Sequence, residues 1–193
     1  MISVKLAAVI THVFNPPVVA AFTFLILLYS QSSISLPFVA VSLTFGTFVP
    51  LAVIFLLLKR GVVSDFFVSE KKERAKPFAG AILSYLIGSL MLWWLRAPLI
   101  VTASMLCYAG NTVLMMLITR QWKISVHASG ITGPTTVLIE SIGVWVSIFF
   151  ALLIPVGWAR IKMKAHTPTQ IVAGALVTIV STWLQLKIYL AVL

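Results

Sequence analysis

LPFVAVSLTFGTFVPLAVIFLLL, residues 36–58, runs from Leu36 to Leu58 without one ionisable side chain. An α-helix needs about 20 predominantly apolar residues to cross the hydrocarbon core of a bilayer, so this stretch reads as a membrane span. Working outward, similar runs occupy Pro16 to Tyr29, which is short, Phe78 to Leu95, Pro98 to Thr119 and Pro168 to Leu193, with Arg96-Ala97-Pro98 separating the middle pair. Ala128 to Trp158 is longer than one ordinary span needs, and its apolar character breaks at Glu140-Ser141-Ile142-Gly143. Two short or tilted helices with a turn there are expected, with a single long helix as the alternative. Met1 to His12 reads as a helix lying at the interface. The expectation is an all-α polytopic transmembrane helix bundle of six or seven spans. It forms a single integral membrane domain over residues 1–193: N-terminal helices in 1–58, a basic loop in 59–77 and a core in 78–193.

Composition gives the same class. With 61% hydrophobic and 9% charged residues and a mean hydropathy of +1.10, the chain has too little polar surface to coat a water-soluble globule. No small-residue cleavage site closes the first apolar run, so the first segment is expected to be retained. The one cysteine, Cys107, lies in an apolar stretch, which leaves no disulfide framework and no cysteine-rich metal site.

A turn at Glu140 to Gly143 would bring the loop from Lys59 to Pro77, the segment Arg120 to Ser129 and the segment Arg160 to Thr167 to one face. Lys59, Arg60, Lys71, Lys72, Arg74, Lys76, Arg120, Lys123, Arg160, Lys162 and Lys164 then share that face, and Arg96 and Lys187 stand on the other. Excess Lys and Arg on short loops marks the cytoplasmic side, which is where this face is expected. An anion-binding site would need the same cations whichever way it faced.

Asp65, Glu70, Glu73 and Glu140 are the only carboxylate side chains in the sequence. Two-metal hydrolysis and aspartate-rich diphosphate chemistry therefore lack their ligands. Salt pairing with neighbouring cations is the expected role of Asp65, Glu70 and Glu73. What the sequence does offer is histidine beside cations: Arg160 six residues before His166, and His127 within Lys123-Ile124-Ser125-Val126-His127. Ionisable groups at the mouth of a membrane segment are functional candidates. Phosphate ester cleavage suits this set. Cations cradle the phosphoryl oxygens, a neutral imidazole attacks phosphorus, and a protonated imidazole serves the leaving alcohol.

Ala159-Arg160, five residues, His166, three residues, Gln170 is similar to the third signature of the type 2 phosphatidic acid phosphatase superfamily, Ser-Arg, five residues, His, three residues, Asp. Ile124-Ser125-Val126-His127 stands where that family has Pro-Ser-Gly-His, and Lys71 to Pro77 loosely echoes its first signature. The resemblance covers roughly the last two-thirds of the chain. It implies His166 as nucleophile, His127 as general acid and Arg160 on the phosphoryl oxygens. Lys72, Arg74 and Lys76 become candidate phosphate cations, Ser125 a further donor, and Gln170 a site residue in place of the aspartate that would orient His166. Val126 replaces the glycine that lets backbone approach phosphate. No metal and no cofactor are implied.

Other readings stand beside these. His127 can be an interfacial histidine bonded to a loop carbonyl, and His166 simple helix-entry chemistry before Pro168. His12 reads as an interfacial anchor, the six tryptophans as aromatic belts and Asn111 as interhelical glue. The expected partners are a phosphorylated lipid substrate and membrane lipids, not nucleic acid, with homo-oligomerisation open. An isoprenoid phosphate or diphosphate is slightly preferred over phosphatidate. A non-catalytic phospholipid binder or transporter and a magnesium-dependent prenyltransferase-like enzyme are the rival classes.

Overall fold

Prolines open several of the helices, and Gly143 closes the one that begins at Val126. The computed structural model describes residues 2–192. Among these described residues nine α-helices follow in order: α1 (Ile2–Val13), α2 (Pro16–Ser30), α3 (Leu36–Leu43), α4 (Val49–Lys59), α5 (Ala75–Trp94), α6 (Leu99–Gln121), α7 (Val126–Ile142), α8 (Leu153–Lys162) and α9 (Pro168–Val192). No strand occurs among the described residues.

Prolines stand in the first turns of α2, α3 and α4 and open α9, where the missing N–H costs no hydrogen bond. Pro50 is the informative case, because α3 and α4 form one continuous path joined by a π-turn at Thr44–Phe48. A proline ring clashes with the carbonyl four residues back, and the wider turn relieves that conflict without ending the helix. Gly46 in the same turn admits α2 closely, since a Cβ there would lie 2.8 Å from the Phe24 ring. Gly143 ends α7 at a φ of +125°, a region that side chains rarely adopt. A 3-10 stretch, Val144–Leu152, then feeds α8. The turn expected near Glu140 to Gly143 is therefore present.

Among the described residues, five helical paths are long and apolar enough to cross a membrane: Leu36–Lys59, Ala75–Trp94, Leu99–Gln121, Val144–Lys162 and Pro168–Val192. The pair α1 and α2, bent by 46° at Asn15, makes a sixth if taken as one span. The chain is an all-α polytopic bundle. Helix α7 differs from the rest. Its residues from His127 to Leu138 are all buried, and it packs against α2, α6, α8 and α9. At about 1.5 Å per residue it is ~26 Å long. Because it faces other helices and not lipid, it carries Ser129, Thr132, Thr135 and Thr136, which lowers its hydropathy.

Large apolar side chains such as Leu83, Leu90, Leu176 and Ile188 cover the outside of the bundle, the surface expected where lipid is the solvent. All six tryptophans are exposed, and Trp93, Trp94, Trp122, Trp145 and Trp158 stand near helix ends. Asn111 does join helices. Its amide donates to Thr182 at 2.8 Å, and its oxygen accepts from Ser181 at 2.5 Å and Gln185 at 3.0 Å, which ties α6 to α9.

Candidate functional site

The spacing of Arg160 and His166 has a local cause. Helix α8 ends through Lys164, held at a φ of +54°, and the chain folds back so that the amides of Ala165 and His166 both donate to the carbonyl of Arg160, at 3.0 and 3.3 Å. The imidazole is thereby returned to the side of the guanidinium. Pro168 then starts α9, and Gln170 in its first turn faces His166: Gln170 Oε1 lies 3.1 Å from His166 Nδ1.

The other imidazole arrives on α7. Ser125 is the N-cap, its Oγ accepting from the Ala128 amide at 3.3 Å, and its own amide donates to the carbonyl of Gln170 at 3.2 Å. One short contact thus joins the segment carrying His127 to the one carrying His166. Arg160, His166 and Arg74 all lie within electrostatic reach of His127.

Buried polar atoms without partners define the centre. Arg160 is 1% exposed, yet its Nε and one terminal nitrogen have no hydrogen-bond partner, and the Nε2 atoms of His127 and His166 are likewise buried and unpaired. Buried polar groups are nearly always satisfied, because leaving one bare costs about 1–3 kcal/mol, more for a charge. Four such atoms gather in one neighbourhood.

Of the three candidate cations in the basic loop, Arg74 alone is buried, while Lys72 and Lys76 are exposed. The reason is its position just before α5. There the guanidinium reaches inward, donating from Nε to the Val68 carbonyl at 3.1 Å and from a terminal nitrogen to the Ile124 carbonyl at 2.9 Å. Burial, and next the neighbouring Arg160, push Arg74 down to about 10, with Asp65 and Glu70 opposing. Ser125 Oγ accepts the Ala128 amide in the cap of α7, which leaves its O–H free to donate, as expected of a phosphate donor.

Salt pairing by the loop carboxylates is not what the structure has. Asp65 accepts from the amides of Phe67 at 2.8 Å and Ser69 at 2.9 Å and from the Ser69 hydroxyl at 3.1 Å, and Glu73 accepts from the amide and hydroxyl of Ser64. Local N–H groups stand at a fixed short separation, whereas a lysine must give up side-chain entropy to meet an exposed carboxylate, so the backbone wins. The one ion pair among the described residues is Lys187–Glu140, at 2.6 Å, on the opposite face.

The carboxylate of Asp65 serves to present an aromatic pair. Val68 sits at a φ of +48°, which costs a β-branched residue on the order of 1–3 kcal/mol and is held by Asp65 on one side and Arg74 on the other. Phe67 thereby enters the site. Its ring lies 5.8 Å from that of His127 and 4.6 Å from that of His12, and the Arg160 guanidinium stands 5.7 Å above it. Sequence reasoning passed over Phe67, although two adjacent phenylalanines in an otherwise polar loop were the available signal. Lys123 was passed over as well. It is half-buried and lowered by burial first and by Arg74 next.

His166 is pushed down to about 3, chiefly by burial and then by Arg74, with the Gln170 hydrogen bond opposing and Arg160 and Lys123 adding to the fall. Its ring is neutral at ordinary pH, the form a nucleophile needs. Among the described residues, no three His, Cys, Asp or Glu side chains converge in a way that could hold a metal ion. No family model, no curated protein and no solved structure matches this chain.

Proposed function

We propose that this chain is an integral membrane phosphatase that hydrolyses a phosphorylated lipid without a divalent metal, through a phosphohistidine at His166. The observation that carries the proposal is the set of unpaired buried atoms: Nε2 of both imidazoles and two nitrogens of Arg160. A phosphoryl group would satisfy all four. Fixed cations aimed at its oxygens stabilise charge where it develops, which is most of what catalysis of phosphoryl transfer requires.

The steps follow from the groups present. Neutral His166 Nε2 attacks phosphorus, a P–N bond forms and the P–O bond to the lipid alcohol breaks. The departing oxygen takes a proton from His127, whose protonated form the bound anion favours. Water then attacks the phosphohistidine, gives its proton to the now neutral His127, breaks the P–N bond and releases inorganic phosphate. Arg160 and Arg74 hold the oxygens throughout. The resemblance to the type 2 phosphatidic acid phosphatases supports the same assignment.

The substrate carries its phosphate at headgroup level and its chain in the hydrocarbon, and an isoprenoid phosphate or diphosphate is preferred over phosphatidate. By the excess of Lys and Arg on its loops, the face bearing the site is assigned to the cytoplasm. Gln170, where the resemblance would place an aspartate, favours one second reading, a phospholipid binder or transporter that keeps the cradle without the chemistry.

Phosphate release in detergent with EDTA present tests the proposal. Wild-type turnover should persist, and His166→Ala and His127→Ala should each lower kcat by at least about a hundredfold. Unchanged turnover in both variants overturns the assignment. Lipid phosphate binding that needs Arg160 without any phosphate release replaces the enzyme by the binder.

A further inference from the structure

Below His127 the bundle is hollow. A cavity of about 120 Å³, against roughly 10–15 Å³ for a single water, opens beside Phe67, Arg74 and His127 and continues past Ala81 to Tyr85 and Tyr108. Its lining is drawn from α2, α4, α5, α6, α7 and α9, so it lies among the helices of the bundle.

Helix rise gives its depth. Tyr85 is ten residues below the start of α5, and Tyr108 is thirteen from the end of α6 at the basic face, which places the closed end ~15–20 Å down at 1.5 Å per residue. One leaflet of the hydrocarbon core is about 15 Å thick. The bottom is aromatic, with the Tyr108 ring 5.5 Å from those of Tyr85 and Phe24. Most polar side chains on the wall are committed elsewhere: Asn111 to α9, Ser129 to Thr178 at 2.8 Å, and Thr112 to the Tyr108 carbonyl at 2.7 Å. The Tyr108 hydroxyl at the bottom is the exception, buried without a partner, so an extended polar ligand would lose its hydration along the wall for the return of one hydroxyl, whereas a hydrocarbon would lose nothing.

We infer that this cavity binds a single hydrocarbon chain of the lipid substrate inside the bundle, with the phosphate held at its cationic mouth and Tyr85 and Tyr108 closing it at about the depth of one leaflet. The inference rests on the phosphatase reading for the identity of the headgroup chemistry, while the chain site itself stands on geometry. Charge complementarity supplies the direction: Arg74 and His127 fix the anionic end at the top, and the apolar walls take the rest.

Photolabelling tests it. The probe is a linear alkyl phosphate with a diazirine at the far end of its chain, mixed with the protein in detergent, and adducts are mapped by peptide mass spectrometry. Adducts on Tyr85, Tyr108 and their neighbours are expected. Ala81→Phe, which fills the middle of the cavity, should reduce them at least about tenfold, a difference of ~1.4 kcal/mol in occupancy. Leu83→Phe, on the outer surface of α5, should not. Ala81→Leu gives the same test should the larger ring prevent folding. Adducts on the outward Leu83, Leu86 and Leu90, or labelling indifferent to Ala81→Phe, overturn the chain site. In the turnover assay, Ala81→Phe should lower the ratio of kcat/KM for long-chain over short-chain phosphates by at least about tenfold, and an unchanged ratio overturns the inference. Labelling inside the cavity with no phosphate release from any ester leaves the chain site standing and removes the phosphatase reading.

Discussion

Gln170 fixes the tautomer of His166. Its Oε1 accepts from the Thr167 backbone amide at 3.2 Å and stands 3.1 Å from His166 Nδ1. A backbone N–H can only donate, so the atom facing it is the amide oxygen, and Nδ1 must carry the imidazole proton. The Nε2 lone pair is left without a partner. An amide oxygen therefore does the orienting work for which a carboxylate is the better stabiliser of positive charge.

Gln170→Glu tests that relationship at constant length. The added charge should raise the His166 pKa by on the order of one unit or more, moving the acid limb of the pH–rate profile for phosphate release upward. Gln170→Leu, which removes the acceptor, should lower kcat by about tenfold or more. A profile unchanged in both variants would show that ring and side chain do not act together.

Arg74 should matter more to stability than either flanking lysine. Arg74→Ala strips the partners from the buried carbonyls of Val68 and Ile124 and should cost about 1–3 kcal/mol for each one left unsatisfied. Thermal unfolding in detergent reads this as a drop of several degrees in Tm, with loss of phosphate release. Arg74→Lys keeps the charge but cannot bridge both carbonyls, and should recover little. Lys72→Ala and Lys76→Ala, at exposed positions, should give smaller losses; an effect equal to that of Arg74→Ala would put the phosphate cations elsewhere in the loop.

Phe67 and Arg160 are expected to be coupled. A guanidinium over an aromatic face is worth about 0.5–2 kcal/mol, depending on desolvation. A double-mutant cycle with Phe67→Leu and Arg160→Lys, read by thermal stability, should return an interaction energy in that range. A value near zero would mean that the charge does not rest on the ring.

Acid should loosen the site before it protonates the nucleophile. The folded-state pKa of His166, about 3, is below its unfolded value near 6.5, so the unfolded chain binds the extra proton as pH falls through that interval. Stability is fully present above about pH 6.5 and declines toward pH 3, by on the order of 2 kcal/mol at pH 5. His166→Gln removes this contribution, and its Tm should fall less between pH 7 and pH 5 than that of the wild type. An equal fall in both would assign the acid sensitivity to other groups.

Helix positions were legible because long uncharged runs admit little else: residues 36–58 and the break at Gly143 both read directly. The central placement of α7 was not. Its serines and threonines face other helices, and composition alone does not say which neighbours a moderately polar helix has. The pairing of Arg160 with His166 was legible as spacing, yet the cause, a left-handed Lys164 turning the chain back, leaves no mark in the residue type. Choosing Arg74 over Lys72 and Lys76 required knowing where α5 begins. The capping by Asp65 was missed because Coulomb attraction between charged neighbours looks stronger on paper than a backbone amide already at contact distance.

Helices α7 and α9 are fastened along their whole common length: Ser125 to Gln170 at one end, Thr178 to Ser129 and Thr132 to the Ala175 carbonyl along the middle, and Lys187 to Glu140 at the other. His127 and His166 stand at the open tips of these two posts, much as points on the arms of a calliper. The spacing of the two rings is then set by two braced rods and not by the connecting segments alone.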